Sequence, residues 1–145
     1  MTVQTSGATE AVVRAFVTAD DPEEMINLLS ADVVMDDWMT PGTTLRGRDA
    51  VVDRILVPIA ASFPDAHFVV HDVIAGGERA AVRGEFTATF AAPYLGLSAH
   101  GRRVRWTAHD LYQVAEDQVT RIWWGNDSLN VARELGALPK DGRPW

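Results

Sequence analysis

The chain has 145 residues, of which 47% are apolar, and it carries a formal net charge of −7 and no cysteine. The negative charge disfavours nucleic acid as a partner, and the lack of cysteine excludes disulfides, thiolate catalysis and cysteine metal sites. No apolar run approaches the roughly 20 residues of a membrane-spanning helix, and residues 1–9 lack the features of a signal peptide. We therefore predict one cytoplasmic domain over residues 1–145, with a core at about 10–139 and a tail at 140–145.

Helical patterns dominate the first half of the chain. Apolar residues at helical spacing over 12–19 predict a first helix, and Pro22 suits the first turn of a short second helix. A longer helix is predicted over residues 48–63. Pro58 should kink this helix, because proline cannot donate the hydrogen bond that a helix interior needs.

Strands dominate the second half of the chain. Alternating and β-branched residues between short turns predict strands over 66–75, 79–91, 104–115 and 119–124, after an earlier strand over 32–38 and before a last helix. Strands joined by short turns indicate antiparallel pairing. We predict an α+β fold in which a curved antiparallel sheet wraps around the N-terminal helices. Such a sheet encloses a cone-shaped cavity, which is the natural ligand site.

The strand over 104–115 carries the first candidate for chemistry. One of its faces would hold an apolar row interrupted by a single carboxylate: Val104, Trp106, Ala108, Asp110, Tyr112 and Val114. Burial in that row would raise the pKa of Asp110, which suits a group that exchanges a proton near neutral pH. In the alternative parity, Asp110 lies outside and His109 lies inside. We predict Asp110 as catalytic, because the opposite face is the more polar one.

Asp36 is the second catalytic candidate. On the strand over 32–38 it would share a face with Val34 and Trp38. Two carboxylates from different strands that face one cavity could divide the roles of acid and base. The alternative is that Asp36 and Asp37 form a polar strand end. We predict Trp38 as a substrate contact.

Further substrate contacts are predicted on the strand over 79–91 and beyond it. Arg83 and Glu85 share one strand face and could hold a bridging water or a substrate, with exposed sheet surface as the alternative. The other predicted contacts are aromatic and suit a flat, apolar or aromatic ligand: Phe90, Tyr94, Trp106, Tyr112 and Trp124. Packing in the core is the alternative for several of them.

The sequence contains no motif for a cofactor or a metal. A nucleophile elbow, a phosphate loop and a dinucleotide glycine fingerprint are all missing. His67 and His71 would lie about 13 Å apart along a strand, too far for one ion. We predict neither metal nor cofactor, which leaves acid/base chemistry or binding as the possible functions.

Five short motifs follow one another along the chain. They are Phe63-Pro64-Asp65, Asp72-Val73-Ile74, Gly101-Arg102-Arg103-Val104, the strand Val119–Trp123, and Asp127 followed by Glu134-Leu135-Gly136-Ala137-Leu138-Pro139. Their order and spacing resemble the SnoaL-like polyketide cyclase family over about residues 10–139. The resemblance implies a nuclear-transport-factor-2-like cone, a homodimer formed through the sheet, and aldol cyclisation, isomerisation or hydration without a cofactor.

This chain departs from the family pattern at two polar positions. The polyketide cyclases that it resembles carry a Thr-His pair where this chain has Thr89-Phe90, and an aspartate where it has Trp124. The related epoxide hydrolases use an Arg and an Asp two residues apart, which Arg83 and Glu85 echo, together with the same late aspartate. The resemblance therefore implies the pocket more directly than it implies a reaction.

We favour a cofactor-independent acid/base enzyme acting on a small, largely apolar, polyketide- or terpenoid-like molecule. Asp110 would transfer a proton at a carbonyl, epoxide or enol oxygen, with Asp36 assisting. Two alternatives are an epoxide hydrolase, which requires Arg83 and Glu85 to point inward, and a non-catalytic binding or scaffold domain. An open cavity beside a carboxylate would favour the enzyme, whereas a cone filled by side chains would favour the scaffold. The expected partners are a small substrate and a second copy of the chain, and not nucleic acid or membrane.

Overall fold

The computed structural model of the protein describes residues 3–139, and the predicted tail at 140–145 lies outside the described residues. The elements in chain order are α1 (Ser6–Thr18), α2 (Pro22–Asn27), β1 (Leu29–Asp36), β2 (Thr44–Arg46), α3 (Arg48–Val51), a π-helical segment (Val52–Leu56), α4 (Val57–Ser62), β3 (His67–Gly76), β4 (Arg79–Thr89), β5 (Arg103–Ala115), β6 (Gln118–Trp123) and α5 (Ser128–Glu134).

A six-stranded sheet in the order β2-β1-β6-β5-β4-β3 forms the frame of the fold. It is curved and unclosed, with helices packed on it, so the predicted α+β class is confirmed. Strands β1 and β6 run parallel, whereas all other neighbours pair antiparallel. The expectation of a purely antiparallel sheet is wrong for this pair. The two strands are far apart in sequence, so no tight turn constrains their relative direction.

Helix α1 packs across the inner face of the sheet and contacts β3, β4, β5 and β6. Its buried apolar side chains recur every three or four residues, as an amphipathic helix requires: Val12, Val13, Phe16 and Val17. Phe16 meets Tyr112 of β5 edge to face, with ring centroids 5.7 Å apart. This contact holds the helix against the strand that carries Asp110.

The predicted helix over residues 48–63 forms in three segments. After α3, the π-helical segment Val52–Leu56 widens the turn, and the Val57 N–H donates to the Val52 carbonyl. Pro58 thereby falls in the first turn of α4, where an amide donor is not required. The π-helical segment therefore ends directly before the helical turn that contains Pro58, which has no N–H to donate.

Two apolar clusters fill the space between helices and sheet. The larger contains Phe16 and Tyr112, and the smaller contains Phe63 and Trp106, while Trp38 packs against both. A cavity lies where the clusters meet, and it is lined by members of each. Within residues 3–139, no helix is long and apolar enough to cross a membrane.

Candidate active site

A cavity of about 180 Å³ lies between the helices and the inner face of the sheet. Its aromatic lining comprises Phe16, Trp38, Phe63, Phe68, Phe86, Tyr94, Trp106, Tyr112 and Trp124. Asp110 and Asn126 add polar groups, and the exposed pair Asp20 and His67 also borders the cavity. Such a lining suits an uncharged, largely apolar ligand. The described part of the chain has no group of three His, Asp or Glu residues that could hold a metal ion.

Asp110 lines the cavity, whereas His109 faces solvent. Over the first eight residues of β5 buried and exposed positions alternate strictly, and Asp110 is only 6% exposed. On β4, the buried Val82 pairs with Asp110, and the exposed Arg83 pairs with His109. The strand parity that places Asp110 inside is therefore the one observed. The result is a carboxylate set into an apolar wall.

A short hydrogen-bonded chain holds the Asp110 carboxyl group. The Gly125 N–H donates to Oδ1 at 2.9 Å, and the Tyr112 hydroxyl donates to Oδ2 across a long 3.4 Å. The hydroxyl oxygen itself accepts from Trp124 Nε1 at 3.0 Å. Because the indole occupies the hydroxyl oxygen, it directs the hydroxyl proton of Tyr112 toward Asp110.

Burial raises the pKa of Asp110 from 3.8 to about 6. Removal from water is the largest cause, and the Gly125 N–H, the Tyr112 hydroxyl and the nearby His109 oppose it. Burial, together with the charge of Asp110, also raises the pKa of Tyr112 well above 10.0, so its hydroxyl keeps its proton. Asp110 consequently has both protonation states accessible near neutral pH, as an acid/base group requires.

Gly125 allows the chain after β6 to come close enough to β5 to reach Asp110. A Cβ atom at this position would overlap the carbonyl oxygen of His109. The Gly125 carbonyl accepts from the His109 N–H at 3.0 Å, while its own N–H turns to the Asp110 carboxyl group. Glycine is therefore required where the chain supplies this donor.

Asp36 lies outside the cavity, contrary to the prediction. The buried face of β1 carries Val33 and Met35, whereas Asp36 lies on the opposite face. There it accepts from Arg121 at 3.1 Å and from Thr44 at 3.3 Å. The predicted alternation is one residue out of phase, because three consecutive apolar residues at 33–35 do not distinguish the two faces.

The neighbouring Asp37 is the buried carboxylate of this segment, with 4% of its surface exposed. It accepts from the Met39 N–H at 3.0 Å and pairs with Arg54 of the π-helical segment at 3.1 Å. These bonds fix the loop after β1, where Trp38 lines the cavity. Burial and the nearby charge of Asp37 raise the pKa of Tyr94, another lining residue, to about 12.

Arg83 and Glu85 point to the outer face of the sheet, away from the cavity. Arg83 pairs with Asp72 at 2.7 Å, and Glu85 pairs with Arg105 at 2.7 Å. Both lie on the face of β4 opposite to the one that packs on the helices. The predicted substrate contacts at these two positions are therefore wrong, and the inward Arg-Glu pair that epoxide hydrolysis required does not form.

Phe90 is also absent from the cavity lining. It is fully buried and packs behind Phe63, with ring centroids 5.4 Å apart. The remaining aromatic candidates do line the cavity: Trp38, Tyr94, Trp106, Tyr112 and Trp124. Their contact with a substrate stays a prediction.

Asn126 lines the cavity but is not among the residues predicted from sequence. It follows the end of β6 and forms an isolated bridge with Ala108 of β5. Two features of the sequence mark the place, namely Gly125 before it and the helix-capping Asp127 after it. These residues indicate a turn, so the inward orientation of Asn126 depends on a pairing that local sequence does not reveal.

Comparison with known proteins gives a family match over most of the chain. The sequence model of SnoaL-like polyketide cyclases matches residues 9–135. No curated protein sequence matches significantly.

Three solved structures illustrate the likeness in fold. AclR from Streptomyces galilaeus, a proposed hydroxylase, is 22% identical with a TM-score of 0.79, covering 97% of this chain and 87% of its own. TsrD from Streptomyces laurentii is 24% identical with a TM-score of 0.76, and the match covers 91% of this chain and 97% of TsrD. A proposed SnoaL-like polyketide cyclase from Jannaschia sp. CCS1 is 17% identical with a TM-score of 0.79, and the match covers 96% of this chain and 97% of that protein. At these identities the likeness shows the fold alone.

Proposed function

Since this chain belongs to the SnoaL-like polyketide cyclase family, we propose that it is a cofactor-independent acid/base enzyme acting on a small, uncharged, natural-product-like molecule. The reaction class is cyclisation, isomerisation or hydration of a polyketide- or terpenoid-like compound. The observation that carries the proposal is the buried carboxyl group of Asp110 in the wall of an apolar cavity. Burial of a carboxylate is costly, and it is compatible with folding here because the group can be neutral.

The proposed chemistry is a proton transfer at carbon beside a carbonyl group. The Asp110 carboxylate takes the proton, the C–H bond breaks as an O–H bond forms, and the electron pair moves to the carbonyl oxygen as an enolate. In a cyclisation, the enolate carbon attacks a second carbonyl carbon of the same molecule, and the oxygen of that carbonyl takes the electron pair of the C=O bond and the proton from Asp110, which gives a hydroxyl group and restores the carboxylate. In an isomerisation, Asp110 returns the proton to a more distant carbon. The Gly125 N–H and the Tyr112 hydroxyl hold the carboxyl group in place throughout.

The cavity supports an enzyme over a scaffold whose cone is filled by its own side chains. It is open beside Asp110, and its walls are mostly apolar. Apolar walls exclude water, so they strengthen the electrostatic effect of the few polar groups that remain. Epoxide hydrolysis through Arg83 and Glu85 receives no such support, because these side chains form ion pairs on the outer face.

The proposal is tested by a small ketone that needs the same proton transfer. The β,γ-unsaturated isomer of cyclohexenone is converted to the conjugated isomer when a base moves a proton, and ultraviolet absorbance follows the product. The wild-type protein is expected to accelerate this conversion, with a rate that saturates as the ketone concentration rises. A rate equal to that of the buffer alone would count against the proposal.

We also propose that two copies of the chain associate through the outer face of the sheet. Ile74 and Val69 on β3 support this, because they leave 73% and 40% of their surfaces exposed on that face. Sedimentation velocity is expected to give twice the chain mass of 15.9 kDa, and Ile74→Asp is expected to shift the protein toward monomer. A wild-type protein that sediments as a monomer would refute this assembly.

A further inference from the structure

We infer that Asn126 donates a hydrogen bond to the oxygen of the substrate, and that the ligand is an uncharged carbonyl compound with a hydrogen on the adjacent carbon. The inference rests on the proposed function, because it takes Asp110 as the proton-transfer group. It adds a second contact between the cavity and the substrate, and this contact selects ligands that carry a carbonyl oxygen.

The position of Asn126 follows from its pairing with β5. It is paired directly with Ala108, and cross-strand partners point to the same side of a sheet. Ala108 is 1% exposed on the inner face, and Asp110 lies two residues further along the same face. A diagonal pair of this kind places the two Cα atoms about 7–8 Å apart. Asn126 and Asp110 both line the cavity.

The backbone holds this position on both sides. The His109 N–H donates to the Gly125 carbonyl at 3.0 Å, and the Asp127 N–H donates to the Thr107 carbonyl at 3.0 Å. Asp127 then caps α5 by accepting from the Asn130 N–H at 3.2 Å. Asn126 therefore sits between two ladder hydrogen bonds and a helix start, in a place suited to precise orientation of a ligand.

Asn126 also retains side-chain donors that no described residue occupies, as does Trp38 with its indole N–H elsewhere in the lining. The Trp124 indole N–H is occupied by the Tyr112 hydroxyl, and the Tyr112 hydroxyl donates to Asp110. The side-chain amide of Asn126 makes no hydrogen bond to any residue within 3–139, and only its backbone carbonyl accepts one, from Ser128. The carboxamide offers two N–H donors and one acceptor oxygen, and its N–H groups are the ones that fit the oxygen of a carbonyl ligand.

Asn126 and Asp110 line the same cavity and can contact neighbouring atoms of one ketone. In a ketone, the oxygen and the hydrogen on the adjacent carbon are separated by two bonded heavy atoms. The oxygen can accept from the Asn126 amide while Asp110 approaches the hydrogen. As the proton leaves, negative charge builds on that oxygen, and a donor held in place there stabilises the enolate.

Binding of two ligands of equal shape tests the inference without requiring turnover. Cyclohexanone and methylenecyclohexane differ only in an oxygen against a CH₂ group, and nuclear magnetic resonance titration gives both dissociation constants. The Asn126→Ala variant is expected to lower affinity for the ketone relative to the hydrocarbon by about fivefold or more, the loss of one net hydrogen bond. In the wild type, the side-chain amide signal of Asn126 is expected to move with the ketone and not with the hydrocarbon.

Asn130→Ala is the matched control, because the Asn130 amide donates to the Arg105 carbonyl outside the cavity lining. It is expected to leave the ratio of the two affinities unchanged. An unchanged ratio in Asn126→Ala, or a wild type that binds neither ligand, would overturn the inference. If isomerisation depends on Asp110 while the ratio is unchanged, only this inference fails. If the ratio changes but the wild type does not isomerise the ketone, only the proposed function fails.

Discussion

Replacing Asp110 by asparagine is expected to slow isomerisation of the unsaturated ketone by at least about 100-fold, the lower end of what a positioned acid/base group contributes. Asparagine keeps the size of the side chain and an oxygen that can accept from the Gly125 N–H. It cannot carry a proton from one carbon of the substrate to another. The substitution therefore removes the chemistry while it preserves the shape of the cavity.

The matched control is Asp36→Asn, the same chemical change on a carboxylate outside the cavity. The Asp36 side chain is 47% exposed and pairs with Arg121 on the outer side of β1. This variant is expected to keep its rate within about twofold of wild type, since surface substitutions have small effects. Equal rates for wild type and Asp110→Asn, or equal losses in both variants, would refute the role of Asp110.

The second large effect is a dependence of folding stability on pH that the Asp110→Asn variant lacks. Burial raises the pKa of Asp110 from its ordinary value of 3.8 to about 6 in the folded protein. The folded state therefore binds this proton more tightly than the unfolded chain does, so stability falls as the pH rises through this interval. Above about pH 6 the full cost of the buried charge is present.

This cost is about 3 kcal/mol, because each pKa unit corresponds to about 1.4 kcal/mol. Urea unfolding of both proteins between pH 4 and pH 8 measures it. The free energy of unfolding of wild type minus that of Asp110→Asn is expected to decrease by most of this amount, about 2 kcal/mol, between pH 4 and pH 8, since the remainder of the change falls below pH 4. Taking the difference removes the contributions of the other titrating groups. A difference that is constant across the range would show that Asp110 titrates as an ordinary surface carboxyl group.

The strand pattern of the sequence favoured the inward orientation of Asp110 and left the opposite parity, with His109 inside, as the alternative. Thirteen residues of β5 alternate long enough for one face to be distinctly more apolar, so the inner face could be assigned. The strand over 32–38 is short, and its three consecutive apolar residues fit either face. The same pattern therefore misplaced Asp36 and hid the buried Asp37. A shift in register between Leu29 and Val34 on β1 adds to the ambiguity.

Other features of the site depend on contacts between distant parts of the chain. The parallel pairing of β1 with β6 joins Met35 to Ile122, and no local pattern specifies it. The inward placement of Asn126 likewise depends on its bridge to Ala108. On β4 the pattern correctly separates two faces, but the Arg-Glu pair belongs to the solvent side. Polar side chains on a strand indicate a site only when the packing of that strand shows that they lie on the inner face of the sheet.

Trp124, one of the positions where this chain departs from the family pattern, has a defined role in the hydrogen bonding around Asp110. The resemblance implies an aspartate at this position, and this chain instead has an indole that donates to Tyr112 at 3.0 Å. Tyr112 in turn donates to Asp110. The late position thus supplies a neutral donor that orients Tyr112 beside Asp110, and Asp110 is the buried carboxyl group of the cavity lining.

The most direct test of Asp110 as the proton-transfer group is a carbon-13 nuclear magnetic resonance titration of its side-chain carboxyl carbon, assigned by the absence of the signal in Asp110→Asn. Proton transfer by Asp110 requires that this one buried group change protonation near neutral pH. A midpoint near pH 6 is the predicted result, in accord with the raised pKa of Asp110. A midpoint near 4, the ordinary value for an aspartate, would contradict this role.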